Sequence, residues 1–194
     1  MNALRWIALG TTALALAACG QKNETSTDVV SNTVVTESEN TGAENTVAPA
    51  PAMAPGQAFA NTAAASDAFE IASSNLAVTQ ASSAAVKKFA SQMITAHTDS
   101  TNKLKSAGAS ASPPVTPDPT LTAEQQQTLD SLKGASGADF DKAYAAAQVD
   151  AHQKTLDGLK DYSANGDVPQ LKDFAAQMVP IVTAHLNMAK VLKP

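Results

Sequence analysis

The chain has 194 residues, with 13 basic and 18 acidic side chains, so its formal net charge is −5. Hydrophobic residues form 44% of it and aromatic residues only 4%, a small-residue composition that favours closely packed helices over a β-sandwich. The only Arg is Arg5 and the only Cys is Cys19. We therefore expect no nucleic-acid partner, and an intramolecular disulfide is excluded.

The first 18 residues have the pattern of a signal peptide. Arg5 precedes an apolar run over residues 7–18, which is too short to cross a bilayer as a helix but has the length of a signal-peptide core. The run ends in Leu-Ala-Ala-Cys, which resembles a bacterial lipobox. That resemblance implies lipid attachment to Cys19, and Gly20 at the next position implies the outer membrane. We therefore expect a lipid-anchored envelope protein that faces the periplasm; an ordinary signal peptide is the alternative.

The segment over residues 20–60 is rich in Thr, Ser, Asn, Glu, Ala and Pro. It contains no Leu or Ile, and its only aromatic residue is Phe59. Such a segment buries too little apolar surface to offset the entropy lost on ordering. We predict that residues 19–60 comprise the lipidated cysteine and a disordered tether, and that the folded domain covers residues 61–194.

The folded domain shows a hydrophobic period of 3.6 residues, which predicts an all-α fold. The predicted long helices cover residues 67–81, 83–108, 138–164 and 167–192, and a short helix covers residues 122–133. A Pro-rich loop follows the second helix. Thr122 with Gln125 and Asp167 with Gln170 have capping-box spacing at the starts of two helices. This order of elements predicts a four-helix bundle with one extra short helix.

The two halves of the domain resemble each other in sequence. VKKFASQM at residues 86–93 matches LKDFAAQM at residues 171–178, and a Thr-Ala-His follows each segment. A doubled helical hairpin is the usual composition of a four-helix bundle.

Four segments carry a family resemblance: FEIASSNLA from Phe69, VKKFASQMITAH from Val86, SGADFDKAYAAAQVDAH from Ser136 and LKDFAAQMVPIVTAHL from Leu171. They span nearly the whole domain in order, and the chain resembles the bacterial domain of unknown function 4142. The resemblance implies a ferritin-like helical bundle in the cell envelope, secreted or lipidated, with no settled activity. The family pattern has Asp before its first His, where this chain has Ala96.

The three histidines are the only cluster of chemically reactive side chains that the sequence predicts. His97, His152 and His185 each lie on an apolar stripe of a predicted helix. If the turns near residues 82 and 166 lie at the same end of the bundle, these histidines and Glu70 lie at heights that agree within roughly 10 Å. Three imidazoles and one carboxylate would suit zinc, iron, copper or manganese. The candidate metal site is therefore Glu70, His97, His152 and His185, with a transition metal as the candidate cofactor.

Other interpretations of these four residues remain open. The histidines also fit a hydrogen-bonded core network without metal, and Glu70 fits a capping box with Asp67 as its first member. No phosphate-binding glycine loop and no GxSxG motif occurs in the sequence, so no catalytic residue is assigned.

Two functions follow from these patterns. The first is a non-enzymatic envelope lipoprotein, a binding or stress-related module with an unidentified protein partner. The alternative is a metal-binding or oxidative-stress protein that uses a layer of three histidines and Glu70 in the bundle core.

Overall fold

The computed structural model describes residues 53–193, and its five regular elements are all helices. They are α1 (Pro55–Gln80), α2 (Ala84–Ala109), α3 (Ala123–Lys133), α4 (Gly137–Asn165) and α5 (Pro169–Lys190). The predicted all-α class is confirmed, and α2 to α5 begin and end close to the predicted positions. The predicted signal peptide, Cys19 and the tether as far as residue 52 lie outside the described residues.

The first helix begins twelve residues before its predicted start at Asp67. Residues 55–60, assigned to the tether from their composition, form the first turns of α1. The Phe59 ring stacks on Tyr162 at a centroid distance of 3.8 Å, and Ala60 is fully buried. The folded domain therefore includes residues 55–60 and does not start at residue 61.

Helices α1, α2, α5 and α4 pack in that order around a common core. Consecutive helices α1 and α2 form one hairpin, and α4 and α5 form another; α1 also packs on α4, and α2 on α5. The hydroxyl groups of Ser66 and Thr155 form one hydrogen bond, and those of Ser74 and Tyr144 form another. Because the later residue of α1 pairs with the earlier residue of α4, the two helices run in opposite directions. The long connection between α2 and α4 carries α3, which packs on α1 and α4. A single long crossover of this kind is typical of ferritin-like bundles.

Polar side chains fix the turns between the helices. The carboxylate of Asp141 in α4 accepts hydrogen bonds from the backbone N–H groups of Ser82 and Ser83, which directly precede α2. The capping box predicted for α3 is present. The one predicted for α5 is not, because α5 begins at Pro169 after Val168, and Asp167 accepts a hydrogen bond from the Tyr162 hydroxyl instead.

A layer of buried polar residues divides the core into two apolar clusters. One cluster includes Ala60, Leu104, Leu156 and Phe174, and the other includes Ala77, Phe89, Tyr144 and Ala189. The polar residues lie between them along each long helix: Asp67, Glu70, Ser73 and Ser74 in α1, His97 and Ser100 in α2, Gln148 and His152 in α4, and His185 in α5. None of the helices within residues 53–193 has the length and apolarity needed to cross a membrane.

Candidate metal site

The structure brings the three histidines together at the centre of the polar layer. The ring centroids of His97, His152 and His185 form a nearly equilateral triangle with sides of 5.5, 5.7 and 5.6 Å. One ring nitrogen of each residue lies within 4.8 Å of those of the other two. All three side chains are buried. The three histidines share one height, with one from each of α2, α4 and α5. The assumption that the turns near residues 82 and 166 lie at the same end is wrong, because Ser82 contacts Asp141 near the start of α4, whereas a Cβ on Gly56 at the start of α1 would meet Val168. The heights agree because each histidine lies near the middle of the bundle.

Hydrogen bonds orient two of the rings. His97 Nδ1 lies 2.8 Å from a carboxylate oxygen of Asp67, and His152 Nδ1 lies 2.9 Å from the carbonyl oxygen of Gln148. Because both partners are acceptors, each Nδ1 must donate a proton, and Nε2 is the ring nitrogen that is left without a partner. A ligating histidine held by a carboxylate or carbonyl through its other nitrogen is the usual arrangement at metal sites in proteins.

One ring nitrogen of each histidine lacks a hydrogen-bond partner among the described residues. These atoms are Nε2 of His97, Nε2 of His152 and Nδ1 of His185. A buried polar atom without a partner costs about 1–3 kcal/mol, so three of them in one cluster of rings call for an explanation. An ion bound among the rings would satisfy all three at once.

Burial and charge set the protonation of the rings. Burial, followed by the charge of His97, lowers the pKa of His152 to about 3 and that of His185 to about 4. Burial also lowers the pKa of His97, but the hydrogen bond to Asp67 and the charges of Glu70 and Asp67 outweigh it, so the pKa of His97 is raised. At neutral pH, His152 and His185 therefore present unprotonated nitrogens, and the raised pKa of His97 means that an ion competes with protonation of that ring.

Glu70 lies beside the histidines but on the far side of the His152 ring. Its Oε1 is 3.6 Å from His152 Nδ1, and its Oε2 accepts a hydrogen bond of 2.7 Å from Gln148 Nε2. Burial raises the pKa of the Glu70 carboxyl to about 7. Since His152 is neutral at pH 7, this contact is not an ion pair. Glu70, predicted as a fourth ligand, therefore lies against the His152 ring and is not grouped with the nitrogens of the three histidines.

Asp67 is the member of the site that the sequence did not indicate. Its spacing to Glu70 favoured a helix cap, but α1 starts twelve residues earlier, and Asp67 is a buried mid-helix residue. It also accepts a hydrogen bond from the Thr101 hydroxyl at 3.3 Å. Once α1 is extended back to Pro55, Asp67 falls on the same buried helix face as Ala60 and Ala64. A carboxylate on a buried face is the sequence signal that would have indicated a polar partner in the core.

Comparisons with known proteins agree with this fold. No curated protein matches the chain. A solved structure, that of CopM in the Cu(II)-bound form, has a TM-score of 0.59 to this chain and 16% sequence identity, and the alignment covers 70% of this chain and 93% of CopM. At this identity the likeness shows the fold alone. The family model described as a domain of unknown function (DUF4142) matches residues 42–192, and the chain therefore belongs to that family.

Proposed function

We propose that this protein binds one divalent transition-metal ion through His97, His152 and His185. The observation that carries the proposal is the convergence of three unpartnered, buried ring nitrogens from three helices. Ring nitrogens around a metal at about 2.0–2.1 Å lie roughly 3.4 Å apart, so a small contraction of the triangle completes the site. Three neutral imidazoles suit copper and zinc in particular.

Copper(II) is the first candidate among these ions. For a given set of nitrogen ligands, affinity generally rises along the divalent series to a maximum at copper. CopM has the same fold and is known in a Cu(II)-bound form, which supports testing copper first. The sequence gives no catalytic residue, so storage, buffering or sensing of the metal is the proposed role.

Metal titration of the full-length chain tests this function. The background variant is Cys19→Ser, which removes the only thiol in the chain. We expect one Cu²⁺ per chain and, at about 100 times the dissociation constant, a gain of roughly 2.7 kcal/mol in unfolding free energy. Replacing His97, His152 or His185 by Ala should abolish the gain. The control Glu124→Gln removes an exposed carboxylate and should change neither quantity.

If the three histidines instead form a hydrogen-bonded core network without metal, the titration should give a different result. Each His→Ala change would then lower stability by about 1–3 kcal/mol through its unpaired neighbours, and Cu²⁺ or Zn²⁺ would have no effect on the parent chain. That outcome would refute metal binding and leave an envelope binding module with an unidentified protein partner as the function.

The location proposed for this module is the bacterial envelope, with a lipid on Cys19 that anchors it to the outer membrane facing the periplasm. The lipobox-like residues 16–19 support this proposal. Two or more acyl chains on one residue give stable membrane binding. Cys19→Ser should move the protein from the membrane fraction to the soluble periplasmic fraction. If the variant still sediments with outer-membrane vesicles, lipid anchoring is wrong.

A further inference from the structure

His185 differs from the other two histidines in how it is held. Within residues 53–193, no hydrogen bond to its ring is found, whereas Nδ1 of His97 and Nδ1 of His152 both have acceptors. Its side chain is also the most exposed of the three, at 8% against 3% for His97 and 1% for His152. A ring without hydrogen bonds can change rotamer at little cost, and a slightly exposed ring has space to do so.

An open groove between α2 and α5 leads to His185. It is lined by residues of α2 from Lys88 to Asp99, among them Met93 and Ala96, and by His185 and Met188 of α5. A second cavity of about 250 Å³ lies between α1, α3 and α4, and none of the three histidines lines it. Of these two cavities, the α2–α5 groove is the one that connects solvent with a ring of the triangle.

We propose that the metal ion enters and leaves through the α2–α5 groove and that His185 is the ligand that moves to admit it. His97 and His152 form the fixed half of the site, because Asp67 and the Gln148 carbonyl hold their rings. The His185 ring binds the ion in the groove and then moves toward His97 and His152, which shortens the distances between the three rings. This inference rests on the proposed metal-binding function and adds the path and the moving residue.

Because Ala96 has a small side chain, a larger residue at this position would obstruct the groove and test the proposed path. Ala96 and Ala147 are both partly buried helix residues, but Ala96 lines the α2–α5 groove and Ala147 lines the second cavity. The same substitution at each position, Ala96→Leu and Ala147→Leu, therefore obstructs one path and leaves the other open. Neither residue belongs to the triangle, so the equilibrium affinity should stay unchanged in both variants.

Stopped-flow measurement of Cu²⁺ uptake and of its removal by a chelator gives the two rates. Ala96→Leu should slow both rates by the same factor, roughly tenfold, because an obstructed path raises one barrier that is crossed in both directions. Ala147→Leu should leave both rates within about twofold of the parent chain. Met188→Ala widens the groove at an exposed position and should accelerate both rates, which provides a second test if Ala96→Leu folds poorly.

The outcomes separate the path from the function. If the parent chain binds Cu²⁺ but Ala147→Leu is the slow variant, or if neither Ala96→Leu nor Met188→Ala changes the rates, the proposed path is wrong and metal binding stands. If the parent chain binds no Cu²⁺, both proposals fail.

Nitrogen-15 spectra of the imidazoles in the metal-free chain give an independent test of the mobility of His185. The His152 signals should be sharp and show the proton on Nδ1, whereas the His185 signals should be broadened by exchange between rotamers; His185 signals as sharp as those of His152 would contradict its mobility.

Discussion

The pair formed by Asp67 and His97 couples helix α1 to the metal site, although no ligand nitrogen comes from α1. The two side chains are buried, and Asp67 Oδ1 lies 2.8 Å from His97 Nδ1. A carboxylate on the outer nitrogen of a ligating histidine fixes the ring and raises its basicity. In the proposed metal site, Asp67 would therefore contribute to affinity by positioning His97.

Replacing Asp67 by Asn should weaken Cu²⁺ binding about 10- to 100-fold at pH 8, because the ring of His97 loses its charged acceptor. Isothermal titration with a competing chelator measures the dissociation constant. The matched control is Asp150→Asn, which removes an exposed carboxylate two residues before His152 and should leave binding unchanged. Equal affinities for Asp67→Asn and the parent chain would show that Asp67 does not act on the site.

Glu70 makes the stability of the metal-free protein depend on pH. Its pKa rises from 4.5 to about 7 on folding, so the folded state favours the protonated form. The stabilisation is complete below pH 4.5 and is lost as the pH rises to about 7. A shift of this size corresponds to roughly 3 kcal/mol.

The variant Glu70→Gln has no such titration. Its unfolding free energy minus that of the parent chain should rise between pH 4.5 and 7 and stay level above pH 7. Urea unfolding at several pH values, with a chelator present, measures this difference. The exposed variant Glu124→Gln provides the comparison and should show no trend with pH. A flat difference for Glu70→Gln would mean that Glu70 titrates normally in the folded protein.

At the scale of the helices, the sequence predicted the segments with strong apolar stripes and missed the first part of α1, which has none. Helix α2 carries Val86, Met93 and Leu104 on one face, and its predicted bounds agree with the structure. The first half of α1 instead buries Gly56, Ala60 and Ala64. These residues pack closely but give no hydrophobic period, so composition alone assigned residues 55–60 to a tether. Pro55 at the first helical turn and the stacked Phe59 are the local signals of the true start.

Two glycines within helices differ in the space around them, so replacing each by Ala should change stability in opposite directions. A Cβ on Gly108 of α2 would overlap the carbonyl oxygen of Val115, where the connection to α3 folds back on the helix. A Cβ on Gly158 of α4 would meet no atom within 4 Å. Gly108→Ala should therefore destabilise the protein by about 1–3 kcal/mol through overpacking. Gly158→Ala should stabilise it by about 0.5–1 kcal/mol through helix propensity. Thermal unfolding of both variants measures the difference, and a shift of the same sign in each would contradict the described loop contact.

At the scale of the whole molecule, the sequence repeat explains why the histidines meet. Phe89 and Phe174 are equivalent in the repeat but belong to different apolar clusters, because α2 and α5 run in opposite directions. The histidines that follow them therefore approach the middle of the bundle from opposite ends. The sequence predicted a similar height for them, but from a wrong placement of the turns. The Asp67 carboxylate that holds His97 comes from another helix, and no local pattern encodes that contact.

The polar layer contains histidines from both helical hairpins. His97 belongs to the hairpin of α1 and α2, whereas His152 and His185 belong to that of α4 and α5. Without an ion, the contact between the hairpins at this level contains unpartnered ring nitrogens, which favour local opening there. A bound ion would join the two hairpins through ligands from each. Backbone amides near the layer should then exchange with deuterium in local openings in the metal-free chain, and only with global unfolding in the loaded one.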